Sequence, residues 1–123
     1  MELFMGESIL RDKAKIFSKD IVLFCRELKE RKIEYVLINQ LLKSGTSVGA
    51  NVHEAQYAQG TKDFISKLEI ALKECNESTF WLELLYDTQS ITKDEFQKYQ
   101  KLCIELRRMM VSSITTLKKQ GEE

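Results

Sequence analysis

The chain has 123 residues, with 19 basic and 19 acidic side chains, one histidine, three cysteines, five glycines and no proline. That length suits a single domain spanning 1–123, and the missing proline with abundant Leu, Lys, Glu and Ile favours an all-α fold over strands and turns. Zero formal net charge excludes a globally basic chain, and no apolar run approaches the roughly 20 residues of a membrane span.

In the first segment Leu10, Ala14, Phe17, Ile21, Phe24 and Leu28 recur at steps of four and three, which predicts a helix over about 8–31 with one apolar face. Its opening, MELFMGESILRDK, lacks a signal peptide's apolar core and small-residue cleavage site.

The second segment contains Ser44–Asn51, SGTSVGAN, which looks like a phosphate-cradling loop. Yet Ile38, Leu41, Gly45, Val48, Val52 and Ala55 keep a three–four step straight through it, and a loop has no reason to hold that register. The spacing predicts one helix over about 34–58. Two interior glycines cost it about 2 kcal/mol relative to alanine, so a tertiary gain must offset them. Gly45 and Gly49, at i and i+4, strip one face of side chains and invite close packing. A Walker loop is excluded, because no lysine follows Gly49.

Gly60-Thr61 supplies a turn and an N-cap for a third helix over about 62–87, whose stripe is Ile65, Leu68, Leu72, Cys75, Thr79, Leu82 and Tyr86. Thr92 and Glu95 form a capping box that opens a fourth, over about 92–119, with Phe96, Tyr99, Cys103, Leu106, Met110, Ser113 and Leu117 facing inward. Short turns between long helices imply antiparallel neighbours, hence an up-down-up-down four-helix bundle. Apolar residues off the inner stripes, namely Ile70, Phe80, Trp81, Leu84, Leu102 and Met109, mark either a broader core or an oligomer interface, and the near-continuous apolar run FWLELLY favours the interface.

Chemistry has little support. Glu74-x-x-Glu77 lacks the Glu-x-x-His that a carboxylate-bridged metal pair requires, and His53, the sole histidine, has no local nucleophile arrangement. Cys25, Cys75 and Cys103, odd in number and scattered among apolar residues, read as small core residues of a reduced, cytoplasmic protein. No catalytic residue, metal or cofactor is expected. Ser47, Asn51 and Glu54 share one side of the second helix, and an interhelical polar network with Glu74 and Glu77 is the expectation, because an unpaired buried polar atom costs about 1 to 3 kcal/mol.

Charge is uneven along the chain. Residues 1–32 hold eight basic against six acidic side chains and residues 91–123 seven against five, whereas 33–90 hold four against eight. Arg11, Lys13, Lys15, Lys19, Arg26, Lys29, Arg31 and Lys32 near the start, with Arg107, Arg108, Lys118 and Lys119 near the end, are candidate nucleic-acid contacts if the first and last helices are neighbours.

Four runs carry a resemblance: Ser47-Val48-Gly49-Ala50-Asn51-Val52-x-Glu54-Ala55, Lys62-Asp63-Phe64, Ile70-Ala71-Leu72-Lys73-Glu74-Cys75-Asn76-Glu77-Ser78, and Trp81-Leu82. With these the chain resembles the four-helix-bundle proteins encoded by intervening sequences within bacterial 23S ribosomal RNA genes, whose relatives include the accessory protein of diversity-generating retroelements. The resemblance implies a homopentamer. Through the retroelement relatives it also implies binding to RNA or DNA and to a reverse transcriptase or other mobile-element protein.

Overall fold

The computed structural model describes residues 2–122, with side-chain surroundings for 8–121. Four helices, α1 Glu2–Lys29, α2 Tyr35–Ala55, α3 Thr61–Asp87 and α4 Lys93–Glu122, make up its regular structure, and no strand occurs among the described residues. They hold 28, 21, 27 and 30 residues, hence run about 42, 32, 41 and 45 Å at 1.5 Å per residue. Five residues separate each helix from the next. No helix among the described residues is long and apolar enough to cross a membrane.

α2 is unbroken through SGTSVGAN. It stops at Ala55, three residues short of the expected end, where the Gln56, Tyr57 and Ala58 amides switch to carbonyls three residues back, at 3.0 to 3.2 Å. α1 and α4 instead run past the expected 8 and 119, since no proline interrupts either end.

The start of α4 is a closed capping box. The Glu95 amide donates to the Thr92 hydroxyl at 3.1 Å and the Thr92 amide to the Glu95 carboxylate at 2.9 Å. α3 ends at Asp87, where the sequence placed it, and the left-handed residue just beyond is Gln89 (φ 61°) in a position that usually holds glycine. The Ser90 amide reaches the Leu85 carbonyl at 2.8 Å and the Gln89 amide the Tyr86 carbonyl at 2.9 Å, the paired bonds of a Schellman end. Gln89→Gly is therefore expected to stabilise the protein slightly, by roughly 0.5 kcal/mol, as strain relief exceeds glycine's entropy cost; a denaturant midpoint that falls would contradict this.

All four helices contribute to one core, whose largest fully buried side chains include Phe17 and Ile21 of α1, Ile38 and Leu41 of α2, Leu68, Leu82 and Leu85 of α3, and Met110 of α4. The packing order is cyclic: α1 meets α2, α2 meets α3, α3 meets α4, and α4 returns to α1. Stacked rings reinforce two of these seams, Phe24 on Tyr99 at 4.5 Å and Tyr86 on Phe96 at 4.8 Å.

Candidate functional site

At Gly45 and Gly49 α1 packs too close to α2 to leave room for a Cβ. A Cβ on Gly45 would lie 2.7 Å from Ile21 Cγ2, and one on Gly49 would lie 2.4 Å from Ser18 Oγ and 3.2 Å from the Ala14 carbonyl oxygen. Ser18 donates to the Gly45 carbonyl at 2.8 Å and accepts from the Gly49 amide at 3.0 Å. Those two groups are the i and i+4 ends of one helical turn, so a single α1 hydroxyl engages both. Ser18 was missed from sequence. The available signal was Ala14-x-x-x-Ser18, a small pair on the first helix matching the glycine pair on the second.

Across the α2–α3 seam, Ser78 donates to Ser44 at 2.9 Å, and Ser44 passes its own proton to the Leu41 carbonyl at 3.3 Å. Both serines are buried. The expected polar residues are placed differently. Asn51 donates to the Ser47 carbonyl at 2.9 Å within α2, Glu54 is exposed, and Glu77 accepts from the Trp81 indole at 3.3 Å. Among the described residues no hydrogen bond joins Ser47, Asn51 or Glu54 to Glu74 or Glu77. At 100° per residue Ser47 and Glu54 lie about 60 to 80° further round α2 than Ser44, and the inward position facing α3 belongs to Ser44. Burial, and after it the neighbouring Glu77, raises the Glu74 carboxyl above its ordinary value.

Ser78→Ala removes the donor that reaches Ser44 and is expected to cost about 1 kcal/mol, whereas Ser44→Ala/Ser78→Ala together should cost less than the two singles summed. Urea denaturation of the four proteins in this cycle checks it, and strict additivity would refute the pairing.

Several candidate nucleic-acid contacts are engaged with acids. Arg31 forks onto Glu95 at 2.7 and 3.0 Å and reaches the Ser90 carbonyl at 3.2 Å. Lys13 pairs with Glu105 across the α1–α4 seam, Lys118 with Glu69 at 3.4 Å, and Arg11 with its neighbour Asp12 at 3.4 Å. Lys15, Lys19, Arg26, Lys29, Lys32, Arg107, Arg108 and Lys119 are exposed and make no ion pair among the described residues. Arg11, Lys15, Lys19, Arg26 and Lys29 fall within an arc of about 80° on α1. Lys13, which meets α4, lies on the other side of that helix. The α1 cations thus gather beside α2, away from those of α4.

Of the apolar residues assigned to an interface, Ile70 and Phe80 are exposed, whereas Trp81, Leu84, Leu102 and Met109 are half-buried. Phe80 and Trp81 meet edge-on at 4.9 Å. Ile9, Ile16 and Leu23, exposed at 49, 57 and 44%, form a second apolar line at steps of seven along α1. They lie off the Leu10–Leu28 stripe that marks the core face of α1 in the sequence.

The three cysteines are buried free thiols. Burial pushes Cys25 up to about 11 against the opposing charge of Lys29. A hydrogen bond with Cys75, and then burial, raise Cys103, so thiolate chemistry is disfavoured at both.

A family model for the 23S rRNA-intervening sequence protein matches residues 7–112, a span that includes the α1–α2 seam and the serine pair. The chain belongs to this family. A solved relative shares its shape: a protein of unknown function from the S23 ribosomal protein family of Bacteroides thetaiotaomicron, determined at 1.70 Å, is 40% identical over 89% of this chain and 98% of its own, with a TM-score of 0.87. No curated protein matches the chain. For this member of the intervening-sequence family, the Gly45–Ser18–Gly49 contact lies inside the matched span and gives a physical reason for the glycine of the SVGAN run.

Proposed function

We propose that this family member is a non-enzymatic, cytoplasmic homo-oligomer, a pentamer of antiparallel up-down-up-down four-helix bundles on a single 1–123 domain, and that it binds RNA through basic surface. The observation carrying the binding is the α1 arc of Lys15, Lys19, Arg26 and Lys29, exposed and without ion pairs among the described residues. Such a row tracks a phosphate backbone, and a ring of subunits would repeat it. The antiparallel arrangement is supported by contacts in which chain numbers rise in α1 as they fall in α2: Ser18 to Gly45, and Cys25 Sγ to the Ile38 carbonyl at 3.7 Å. Assembly is supported by Ile9, Ile16 and Leu23 on α1 with Ile70 and Phe80 on α3, apolar side chains that one subunit leaves in water.

Filter binding to single-stranded RNA across a salt series tests the reading. Four phosphate contacts per subunit would give log K against log salt a slope of about −3. A charge-removing Lys15→Gln/Lys19→Gln/Arg26→Gln/Lys29→Gln protein should flatten the slope, and no binding at low salt would overturn the proposal. In that event the exposed apolar lines favour the second reading, a protein-interaction scaffold for a mobile-element protein such as a reverse transcriptase. Native mass measurement checks assembly separately: Ile16→Lys is expected to shift the oligomer towards monomer, and a wild-type monomer would refute it.

A further inference from the structure

We propose that the groove between α1 and α2 is a subsite for a phosphorylated nucleoside, holding the phosphate on Arg11 and Lys15 and the base on the Tyr57 ring. The groove has a volume of about 560 Å³, within the range of small-ligand sites. Its shape follows from the close seam already described. Gly49 and Ala50 present almost no side chain, so the α2 wall is low there, and Ser18 closes the floor. One turn beyond Gly49, His53 stands up from α2, and Tyr57, in the turn just after that helix, sets its ring 5.4 Å from the imidazole and tilted by 52°. On the opposite wall Arg11 and Lys15, one turn apart on α1, face the same space.

This combination is selective. Two permanent cations against the single carboxylate of Asp12 leave the lining net positive, which favours an anion. Arg11 is held by Asp12 at 3.4 Å, while Lys15 is free among the described residues to meet a phosphate oxygen. Tyr57 is 73% exposed and its ring neighbours that of His53, so it contributes little to the core and offers a face for stacking. Neither feature alone specifies a ligand. An anionic group beside a flat aromatic ring describes a nucleotide, either free or as one unit of a single strand, and the second case rests on the RNA-binding reading.

Equilibrium dialysis with AMP, adenosine and inorganic phosphate tests it on the intact protein, with Tyr57→Ala, Tyr57→Phe and Lys15→Gln as variants whose folding is checked by circular dichroism. AMP is expected to bind at least about tenfold more tightly than adenosine or phosphate; Tyr57→Ala and Lys15→Gln should each weaken it about tenfold, and Tyr57→Phe should restore it. Absence of AMP binding at millimolar concentration, or AMP binding that both variants leave unchanged, overturns the subsite. Filter binding of oligo(A) to the same proteins separates the sources. A strand that binds far more tightly than AMP and weakens in Tyr57→Ala identifies a unit of RNA, and equal affinities identify a free nucleotide. RNA binding that survives while AMP fails removes the subsite and leaves the RNA reading standing. Saturable AMP binding without RNA binding does the reverse.

Discussion

Gly49→Ala is expected to destabilise the protein by about 2 kcal/mol, and Gly49→Val by more, although alanine is the better helix former by about 1 kcal/mol. The sign decides between two views of SGTSVGAN. If the glycines merely interrupt a helix, alanine stabilises; if they are contact points, it collides. The new Cβ would sit 2.4 Å from Ser18 Oγ, 3.0 Å from Ser18 Cβ and 3.2 Å from the Ala14 carbonyl oxygen. Ser18 cannot simply swing aside, because its hydroxyl holds both the Gly45 carbonyl and the Gly49 amide. Moving it forfeits two hydrogen bonds worth about 1 kcal/mol each, and the Ala14 backbone cannot move without shifting α1. Ser18→Ala in the Gly49→Ala background should recover part of the loss, since it removes the 2.4 Å contact but leaves the one at 3.0 Å. Gly121→Ala, in the last turn of α4, is the control. Nothing lies within 4 Å of that Cβ, and the change should leave stability unchanged or slightly raised. Urea midpoints for these proteins suffice, and a Gly49→Ala protein as stable as wild type would defeat the contact account.

Glu95→Gln is expected to cost about 1 to 2 kcal/mol at neutral pH, with the penalty disappearing in acid. The Glu95 carboxylate accepts both arms of Arg31 and the Thr92 amide, and it therefore ties the α1–α2 turn to the start of α4. The hydrogen bond from Arg31 is the main reason its pKa falls from 4.5 to about 2, with Thr92 assisting and partial burial opposing. A carboxylate depressed in the folded state contributes stability that is complete above 4.5, where the unfolded chain is also ionised. That contribution is lost as pH falls towards about 2. The pair is about a quarter to a third exposed, so solvent screening keeps the figure well below the full linkage value. Thermal melts of wild type and Glu95→Gln from neutral pH downwards should converge near the acid end; a gap independent of pH would show that the loss is steric. Arg31 is committed to this contact, so removing it should leave the salt slope of RNA binding unchanged.

Much of the fold was legible because it depends on period. Leu10 to Leu28, Ile38 to Ala55 and Phe96 to Leu117 repeat every three or four residues, and that repeat survives whatever packs against it. The Thr92–Glu95 box was legible for a similar reason, since both partners lie within one turn. Cross-helix polar pairing was not. Ser44, Ser47, Ser78 and Asn51 are chemically alike, and only rotation of each helix about its axis selects Ser44 and Ser78 as the buried pair. The candidate binding surface divides in the same way. Its charges could be counted in the sequence, but their pairing depends on neighbours far along the chain: Lys13 is neutralised by Glu105, and Arg31 by Glu95.

Sequence alone determined the helical class, the register through SGTSVGAN, the absence of a Walker lysine and the capping of the last helix, because each follows from contacts within a turn or two. Tertiary structure alone decided that Ser18 is the partner of the two glycines, that the unpaired cations of α1 gather beside α2, and that Tyr57 stands over an open groove. Those outcomes depend on helix rotation and on the distance between helix axes, and the two missing Cβ atoms at Gly45 and Gly49 allow α1 and α2 to meet where a larger residue would hold them apart.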